Sequence, residues 1–361
     1  MSDLTASLAE AQRLRALFEA QGATPVDADI LQPADLLLDL YGEDIRGRAY
    51  LTHDPIRGEM VMRPDFTVPV VQTHMDSGAD PARYTYAGKV FRMQDGTGAR
   101  PSEYVQVGFE VFDGANPAEA DATVFAAIAE ALAGLPVTPA TGDIGILKAA
   151  IGGLRTSEAR KAALLRHIWR PGRFRSLLDR FGGRSAVPPS RAALLAEGDP
   201  LGAVDEVPGK RSRAEIADRI AALRADAATA PLAEEERELI DALLAVRETC
   251  PYALSALRDI AVDMPAVQGA VQGLARRLDA LSDKGIDVDA LPFEGSYGRT
   301  TLEYYDGFVF GFTASHAPEM PPVATGGRYD ALTAQLGSGQ AAPAVGGVIR
   351  PDLVLGLRGG V

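Results

Sequence analysis

The composition of the chain changes along its length, and this change restricts the fold more than any other feature. Residues 59–112 and 302–312 are rich in the β-branched and aromatic residues that are typical of strands. Between them, residues from about 152 to 281 are rich in Ala, Leu, Arg and Glu and poor in aromatic side chains. Strand-forming ends around a helical middle predict an α+β fold, in which helices flank a mostly antiparallel sheet.

The same pattern predicts the domain organisation. Residues 1–150 and 285–361 would together form one core domain that contains the sheet, whereas residues 151–284 would form a helical insert. Pro188-Pro189 and Pro208 mark loops between the helices of this insert.

Local signals predict several individual elements. Apolar residues at helical spacing indicate an N-terminal helix that ends at Gly22, and Asn116 followed by Pro117 indicates the capped start of another helix. Two β-rich runs around a turn-rich loop predict a hairpin over residues 84–92 and 104–112. Towards the C-terminus we expect a strand over 302–312, a glycine-rich turn at 325–327 and a last segment over 343–357.

The balance of charged residues argues against several classes of protein. Lys and Arg number 36 against 49 Asp and Glu, so the net charge is −13, which disfavours binding to a phosphate backbone. No apolar run approaches the roughly 20 residues of a membrane span, and the N-terminus lacks the features of a signal peptide. Because Cys250 is the single cysteine, no internal disulfide is possible, and we expect a cytoplasmic protein.

Several kinds of site are not predicted. Gly-rich loops that bind dinucleotides or triphosphates do not occur in the sequence, and no cofactor is expected. Cys250 is expected to pack rather than to act as a nucleophile, and the basic residues in 155–175 to form a solvated helix face. Zinc and other metals are not expected, because the four histidines lie far apart in sequence: His53, His74, His167 and His316.

The run 104–112 carries the most chemical information. Alternation along a strand places its valines and Phe109 on one face and Gln106 and Glu110 on the other, with Gly108 between them leaving room. An amide and a carboxylate beside a glycine would suit a small polar ligand with amine and N–H donors. Taken alone, however, this strand is explained more simply by an antiparallel sheet with one solvated face.

Six stretches, taken in chain order, resemble the catalytic core of histidyl-tRNA synthetase, a class II aminoacyl-tRNA synthetase. The resemblance covers the sheet-forming parts at both ends of the chain and is weak in the helical middle. It implies a class II synthetase-like core. The matching stretches are Arg63-Pro64-Asp65-Phe66-Thr67, residues 86–92, residues 106–112, Leu302-Glu303-Tyr304-Tyr305, Gly326-Gly327-Arg328-Tyr329-Asp330 and Pro343-Ala344-Val345-Gly346.

The resemblance implies a pocket for histidine. Asp65 stands where the family receives the ammonium group of the amino acid, and Gln106 lies beside it. Glu110 and Tyr305 stand where the family holds the two imidazole nitrogens. The histidine-binding residues implied in this way are Asp65, Gln106, Glu110, Tyr304, Tyr305 and Tyr329.

The ATP signatures of the family are altered. Where synthetases have Phe-Arg-x-Glu-Arg this chain keeps Arg92 but has Asp95 in place of the phosphate-clamping arginine, so the resemblance leaves a vestigial ATP site with Arg92 and Arg100. Thr300 replaces the catalytic arginine, and Arg299 comes one residue too early, which in a strand points its side chain to the opposite face.

Two further differences concern the C-terminus. The last family signature, Gly-Leu-Glu-Arg, becomes Arg350-Pro351-Asp352-Leu353 and loses both its glycine and its triphosphate-binding arginine. The chain ends at Val361, where synthetases continue, so no anticodon-binding domain is expected.

A kept histidine pocket with altered ATP signatures resembles the family of regulatory subunits of ATP phosphoribosyltransferase. That resemblance implies a non-catalytic partner of the short catalytic subunit, in a hetero-octamer of four and four, at the first step of histidine biosynthesis. It implies that the chain is required for activity, contributes to feedback inhibition by histidine, and dimerises as class II cores do, through residues 24–54.

Two alternatives remain open at this point. One is a truncated enzyme that forms histidyl-adenylate with Arg92 and Arg100. The other is a stand-alone RNA-binding module, which conflicts with the net charge of −13.

Overall fold

The computed structural model describes residues 4–35, 47–94, 101–202, 209–299, 304–337 and 341–359. Within them, helices flank a mostly antiparallel sheet, as the sequence predicts. Several sequence predictions lie wholly or partly outside the described residues. They concern the dimer segment 24–54, the loop at 95–98 with Asp95, the placement of Arg100, the loop at Pro208, Thr300, and the Leu302-Glu303 part of the predicted strand.

Two sheets contain the twelve strands of the described residues. The larger sheet has nine strands in the order β1-β5-β6-β12-β11-β10-β7-β9-β8, and the smaller has the order β2-β4-β3. Only the pairs β1/β5 and β7/β9 are parallel among the described strands. The strands are β1 (Thr24–Pro25), β2 (Leu31–Pro33), β3 (Leu51–Asp54), β4 (Gly58–Met62), β5 (Ala82–Phe91), β6 (Glu103–Phe112), β7 (Val137–Asp143), β8 (Arg247–Thr249), β9 (Pro292–Glu294), β10 (Phe308–Ala314), β11 (Ala324–Arg328) and β12 (Ala344–Ile349).

One helix precedes the first strand, and most of the others lie in the middle of the chain. They are α1 (Leu4–Ala20), α2 (Thr67–Ser77), α3 (Pro117–Ala131), α4 (Ile144–Gly153), α5 (Glu158–Arg166), α6 (Pro171–Phe181), α7 (Pro189–Ala196), α8 (Arg213–Ala228), α9 (Glu234–Ala245), α10 (Cys250–Asp263), α11 (Gln268–Asp283), α12 (Asp330–Leu336) and α13 (Pro351–Arg358). No helix in the described part of the chain is long and apolar enough to cross a membrane.

The predicted hairpin is formed by β5 and β6, which pair antiparallel along their whole length. The apolar face of β6 packs against α1, where the rings of Phe109 and Phe18 stack with their centroids 5.1 Å apart. Gln106 and Glu110 therefore point to the opposite face of the sheet.

A buried ion-pair network connects the sheet to helix α11. Arg277 of α11 donates to Asp121 of α3 at 2.8 Å and lies 2.9 Å from the carboxylate of Asp143 at the end of β7. The same Asp121 accepts a hydrogen bond from Arg328 of β11 at 2.7 Å. Helix α11 thus packs against the core helix α3, and the division into a core and an insert over 151–284 stays a prediction.

The predicted strand over 302–312 is wrong for residues 304–307, since β10 begins at Phe308. Asp306 turns the chain there: its N–H donates to the carbonyl of Arg328 at 2.8 Å. Its carboxylate accepts hydrogen bonds from the N–H groups of Asp330 and Ala331, at 3.1 and 2.8 Å, at the start of α12.

The glycine-rich turn at 325–327 is also wrong, because these residues lie inside β11. A Cβ atom on Gly326 would lie 2.2 Å from Cζ of Phe310 and 2.5 Å from the carbonyl oxygen of Gly346. Glycine is needed here because neighbouring groups approach the backbone closely, and not because the chain turns.

Asn116 holds the predicted N-cap position of α3, but its side chain makes no capping hydrogen bond. The turn before the helix is organised by Asp113 instead. Its Oδ1 accepts hydrogen bonds from the backbone N–H groups of Ala115 and Asn116, both at 2.9 Å.

Candidate functional site

Glu110 lies at the centre of a buried polar cluster on the face of β6 that is opposite to α1. Its side chain is 1% exposed. The hydroxyl of Tyr86 donates to Oε1 at 2.9 Å, and the hydroxyl of Tyr329 donates to Oε2 at 2.7 Å. Thr67 Oγ1 lies 3.5 Å from Oε1. Both carboxylate oxygens are therefore held by phenols, and Oε2, which accepts from Tyr329, still has a lone pair for a ligand N–H.

Glycines on the neighbouring strands make room for this cluster. Gly346 of β12 pairs with Glu110, and a Cβ atom there would lie 1.4 Å from Glu110 Oε2. Gly108 pairs with Tyr86, and a Cβ atom there would lie 2.0 Å from Cζ of that tyrosine. The tyrosine and the carboxylate each occupy the space above a glycine on the adjacent strand.

Burial changes the acidity of these groups. It raises the pKa of Glu110 from 4.5 to about 7, although hydrogen bonds from Tyr329 and Tyr86 act in the opposite direction and lower it. Burial, with the nearby Glu110 carboxylate as a second cause, also raises the pKa values of Tyr86, Tyr305 and Tyr329. The phenols therefore remain protonated hydrogen-bond donors at neutral pH.

Asp65 lies at the other end of the cluster and is buried. Its Oδ1 accepts a hydrogen bond from the backbone N–H of Thr67 at 3.0 Å, which fixes the start of α2. Its Oδ2 lies 3.6 Å from a guanidinium nitrogen of Arg92. Arg92 is in turn oriented by a hydrogen bond of 2.8 Å from Nε to the carbonyl of Pro64.

Gln106 lies on the same face of β6 as Glu110, four residues before it, and is 1% exposed. It pairs across the hairpin with Gly88. Among the described residues no donor is within hydrogen-bond distance of its Oε1. A buried amide oxygen without a donor is costly, so this atom is suited to receive an N–H from a ligand.

The three tyrosines of the predicted pocket lie together. The rings of Tyr304 and Tyr305 have centroids 4.8 Å apart, and those of Tyr304 and Tyr329 6.1 Å apart. The hydroxyl of Tyr304 is 3.4 Å from Thr67 Oγ1, which connects it to Glu110. A cavity of about 360 Å³ adjoins this group and is lined by Lys148, Trp169, Tyr304, Tyr305, Asp306 and Gln335, among others.

Two sequence expectations about β6 are wrong. The strand does not have a solvated face, because Gln106 and Glu110 are as buried as the apolar side chains. The room above Gly108 is not open to a ligand, because the ring of Tyr86 fills it. No role was predicted from sequence for Tyr86 or Thr67. The register of the hairpin, which places Tyr86 opposite Gly108, was the signal that could have identified Tyr86.

Comparisons with known proteins identify the families to which this chain is similar. The sequence model of a family described as histidyl-tRNA synthetase matches residues 5–207 and 212–354. A protein of Brucella ovis described as an ATP phosphoribosyltransferase regulatory subunit is 32% identical over 367 residues, which cover 96% of either chain. A Brucella abortus protein of the same description matches equally well.

The chain belongs to the ATP phosphoribosyltransferase regulatory subunit family. Solved structures show the same fold at lower identity. A Bacillus halodurans protein described as an ATP phosphoribosyltransferase regulatory subunit/histidyl-tRNA synthetase superposes with a TM-score of 0.67 at 19% identity, covering 98% of this chain and 79% of that one. A histidine–tRNA ligase subunit from Alicyclobacillus acidocaldarius gives 0.62 at 24% identity, covering 100% and 96%. The class II synthetase fold is therefore confirmed.

In this member of the regulatory subunit family, arginines near the altered ATP signatures make contacts within the chain. Arg299 lies in a turn rather than in the expected strand. Its Nε donates to the carbonyl of Ile168 at 2.9 Å, and its guanidinium lies over Phe174. Arg350 donates to the carbonyl of Pro322 at 3.1 Å and lies 5.6 Å from the ring centroid of Tyr104.

Proposed function

We propose that this chain is the non-catalytic, histidine-binding regulatory subunit of an ATP phosphoribosyltransferase. The observation that carries the proposal is the arrangement around Glu110, a buried carboxylate held at both oxygens by Tyr86 and Tyr329. Such an acceptor suits a small ligand with N–H donors. The names of the Brucella relatives support the regulatory role, and the match to the histidyl-tRNA synthetase family model supports histidine as the ligand.

In the proposed complex the two ends of histidine bind different acidic groups. Glu110 and Tyr305 would hold the two nitrogens of the imidazole ring, because a carboxylate and a phenol together can accept one N–H and donate to the other nitrogen. Asp65 and Gln106 would receive the ammonium group, which carries the charge that a carboxylate favours. Tyr304 and Tyr329 would line the pocket.

The altered ATP signatures support a role without catalysis. Asp95 would repel a triphosphate where synthetases place an arginine, and Thr300 has no positive charge to stabilise an adenylating transition state. Arg299 does not replace that charge, because it contacts Ile168 and Phe174. Arg92 does lie near the pocket, 3.6 Å from Asp65.

The proposed partner is the short catalytic subunit, which the regulatory subunit would activate and make more sensitive to histidine. The proposed assembly is a hetero-octamer of four and four, built on class II dimers formed through residues 24–54. Feedback by histidine then requires that histidine bind one state of the assembly more tightly than another, since a ligand with equal affinity for both changes nothing.

The proposal is tested with the purified chain and the short catalytic subunit of the same organism. We expect the two to co-elute in size-exclusion chromatography, and we expect the chain alone to give no histidine-dependent exchange of pyrophosphate into ATP. The second measurement separates this role from that of a truncated histidyl-adenylate-forming enzyme, which the position of Arg92 beside Asp65 would favour. Detectable exchange would contradict the non-catalytic role.

A further inference from the structure

Tyr86 is a buried phenol whose position is fixed more tightly than packing alone requires. Its ring stacks on that of Phe66, with centroids 4.4 Å apart and planes 11° apart. On the other side it lies over Gly108, where any Cβ atom would overlap it. Its hydroxyl donates to Glu110 Oε1 at 2.9 Å. Three independent contacts thus aim one hydroxyl at one carboxylate oxygen.

From this geometry we infer that Tyr86 is a positioning residue: its hydroxyl keeps Glu110 ionised and correctly oriented, so that affinity for histidine follows the ionisation of Glu110. This inference rests on the proposed histidine pocket. Tyr86 itself would not need to touch histidine, because the second lone pair of Glu110 Oε2, the oxygen that accepts from Tyr329, remains for the ligand.

The surroundings of Glu110 make its ionisation sensitive to a single donor. Burial favours the neutral acid, and Asp65 adds a repulsive negative charge, whereas the donors Tyr329, Tyr86 and Thr67 favour the carboxylate. The guanidinium of Arg92 lies 3.6 Å from the carboxylate of Asp65. The titratable and charged groups that face Glu110 or its partners include Asp65 and Arg92, Tyr84 and Tyr86 of β5, Tyr304 and Tyr305 before β10, and Tyr329 and Asp330 at the start of α12.

Removal of the Tyr86 hydroxyl should therefore weaken binding at and below the pH at which Glu110 is half ionised, and much less at higher pH. With a pKa near 7 in the wild type, a rise of about one unit would reduce the ionised fraction about fivefold near pH 7 and less than about twofold near pH 8.5. Titration of histidine itself is the same for every variant, so it cancels from the comparison.

The experiment is calorimetric titration of histidine into the full chain near pH 7 and near pH 8.5. We compare the wild type, Tyr86→Phe and the matched control Tyr84→Phe, which removes the same atom two residues away on β5. The hydroxyl of Tyr84 contacts Ser77 at 3.2 Å and His74 at 3.3 Å. We expect Tyr86→Phe to lose about fivefold in affinity near pH 7 and to recover most of it at the higher pH. Tyr84→Phe should not show this dependence on pH.

An equal loss of histidine affinity at both pH values, or the same profile in Tyr84→Phe, would overturn the inference, because a merely structural role weakens binding at every pH.

If Tyr86→Phe does not fold, Tyr86→3-fluorotyrosine replaces it. The hydroxyl of this residue is a stronger donor, so histidine binding should begin at a lower pH than in the wild type. An unchanged pH for the onset of binding would overturn the inference. Absence of histidine binding in the wild type would also overturn it. A chain that shows the predicted profile but leaves the catalytic subunit unaffected would overturn the proposed function alone.

Discussion

Gly346 and Glu110 are cross-strand partners in β12 and β6, and the carboxylate occupies the volume that a side chain on Gly346 would fill. A Cβ atom on Gly346 would lie 1.4 Å from Oε2 and 2.3 Å from Cδ of Glu110. The buried acid of the candidate site is therefore possible only because its neighbour in the sheet has no side chain.

We expect Gly346→Ala to displace Glu110 and to lower the free energy of unfolding by about 1–3 kcal/mol, the usual effect of overpacking. Denaturant unfolding measures this, and histidine titration should show a parallel loss of affinity. Gly356→Ala in α13 is the control, because nothing lies within 4 Å of its added methyl group. Equal stability of the two variants would show that the carboxylate is not held where we describe it.

Glu110→Gln should weaken histidine binding by about 1.5–3 kcal/mol, the size of a charge-assisted hydrogen bond. The amide keeps the shape of the side chain but loses the charge and one acceptor. Calorimetric titration of histidine into the chain gives the affinity directly. Unchanged affinity would mean that the imidazole binds elsewhere.

The stability of the chain without histidine should depend on pH through Glu110. Because burial raises its pKa from 4.5 to about 7, the folded chain binds more protons than the unfolded chain between these values. This contribution to the free energy of unfolding is fully present below about pH 4.5 and is lost as the pH rises through about 7.

Glu110→Gln lacks this titration, so it serves as the reference. We expect the free energy of unfolding of the wild type, measured relative to the variant, to fall by on the order of 1–3 kcal/mol between about pH 5 and pH 8. Denaturant titrations of both proteins at several pH values measure this difference in the free energy of unfolding. A constant difference would show that Glu110 ionises as readily as in the unfolded chain.

Substitution of Asp121 tests the buried network. This carboxylate is the shared partner of Arg328 and Arg277, so Asp121→Asn leaves two buried guanidinium groups with one counter-ion fewer. We expect a loss of about 3–5 kcal/mol in the free energy of unfolding. The control is Glu294→Gln, whose partner Arg247 is 75% exposed, and it should cost about 0–1 kcal/mol. Similar losses in both variants would contradict this account.

The hairpin and its two faces were predictable from sequence, because alternation along a strand needs no distant information. The residues that cover its polar face were not predictable in this way. The partner of Glu110 Oε2 is Tyr329, 219 residues further along the chain, and only the assembled sheet brings the two together. This is why one solvated face was the simpler expectation for β6.

Glycine was the residue whose role was hardest to predict. A pair of glycines is a turn signal in sequence, yet Gly326-Gly327 lies in the interior of the sheet, where Phe310, Tyr305 and the backbone of β12 approach closely. At Gly108 the missing side chain was correctly predicted to leave room. That room was assigned to a ligand, whereas the ring of Tyr86 fills it. Both errors come from strand register, which composition does not reveal.

The regulatory role is best tested by the rate at which the short catalytic subunit forms phosphoribosyl-ATP, measured with and without this chain across a titration of histidine. We predict that the chain raises turnover and strengthens inhibition by histidine, and that Glu110→Gln moves the inhibition curve to histidine concentrations about tenfold higher or more. If the chain changes neither turnover nor inhibition, the regulatory role is contradicted.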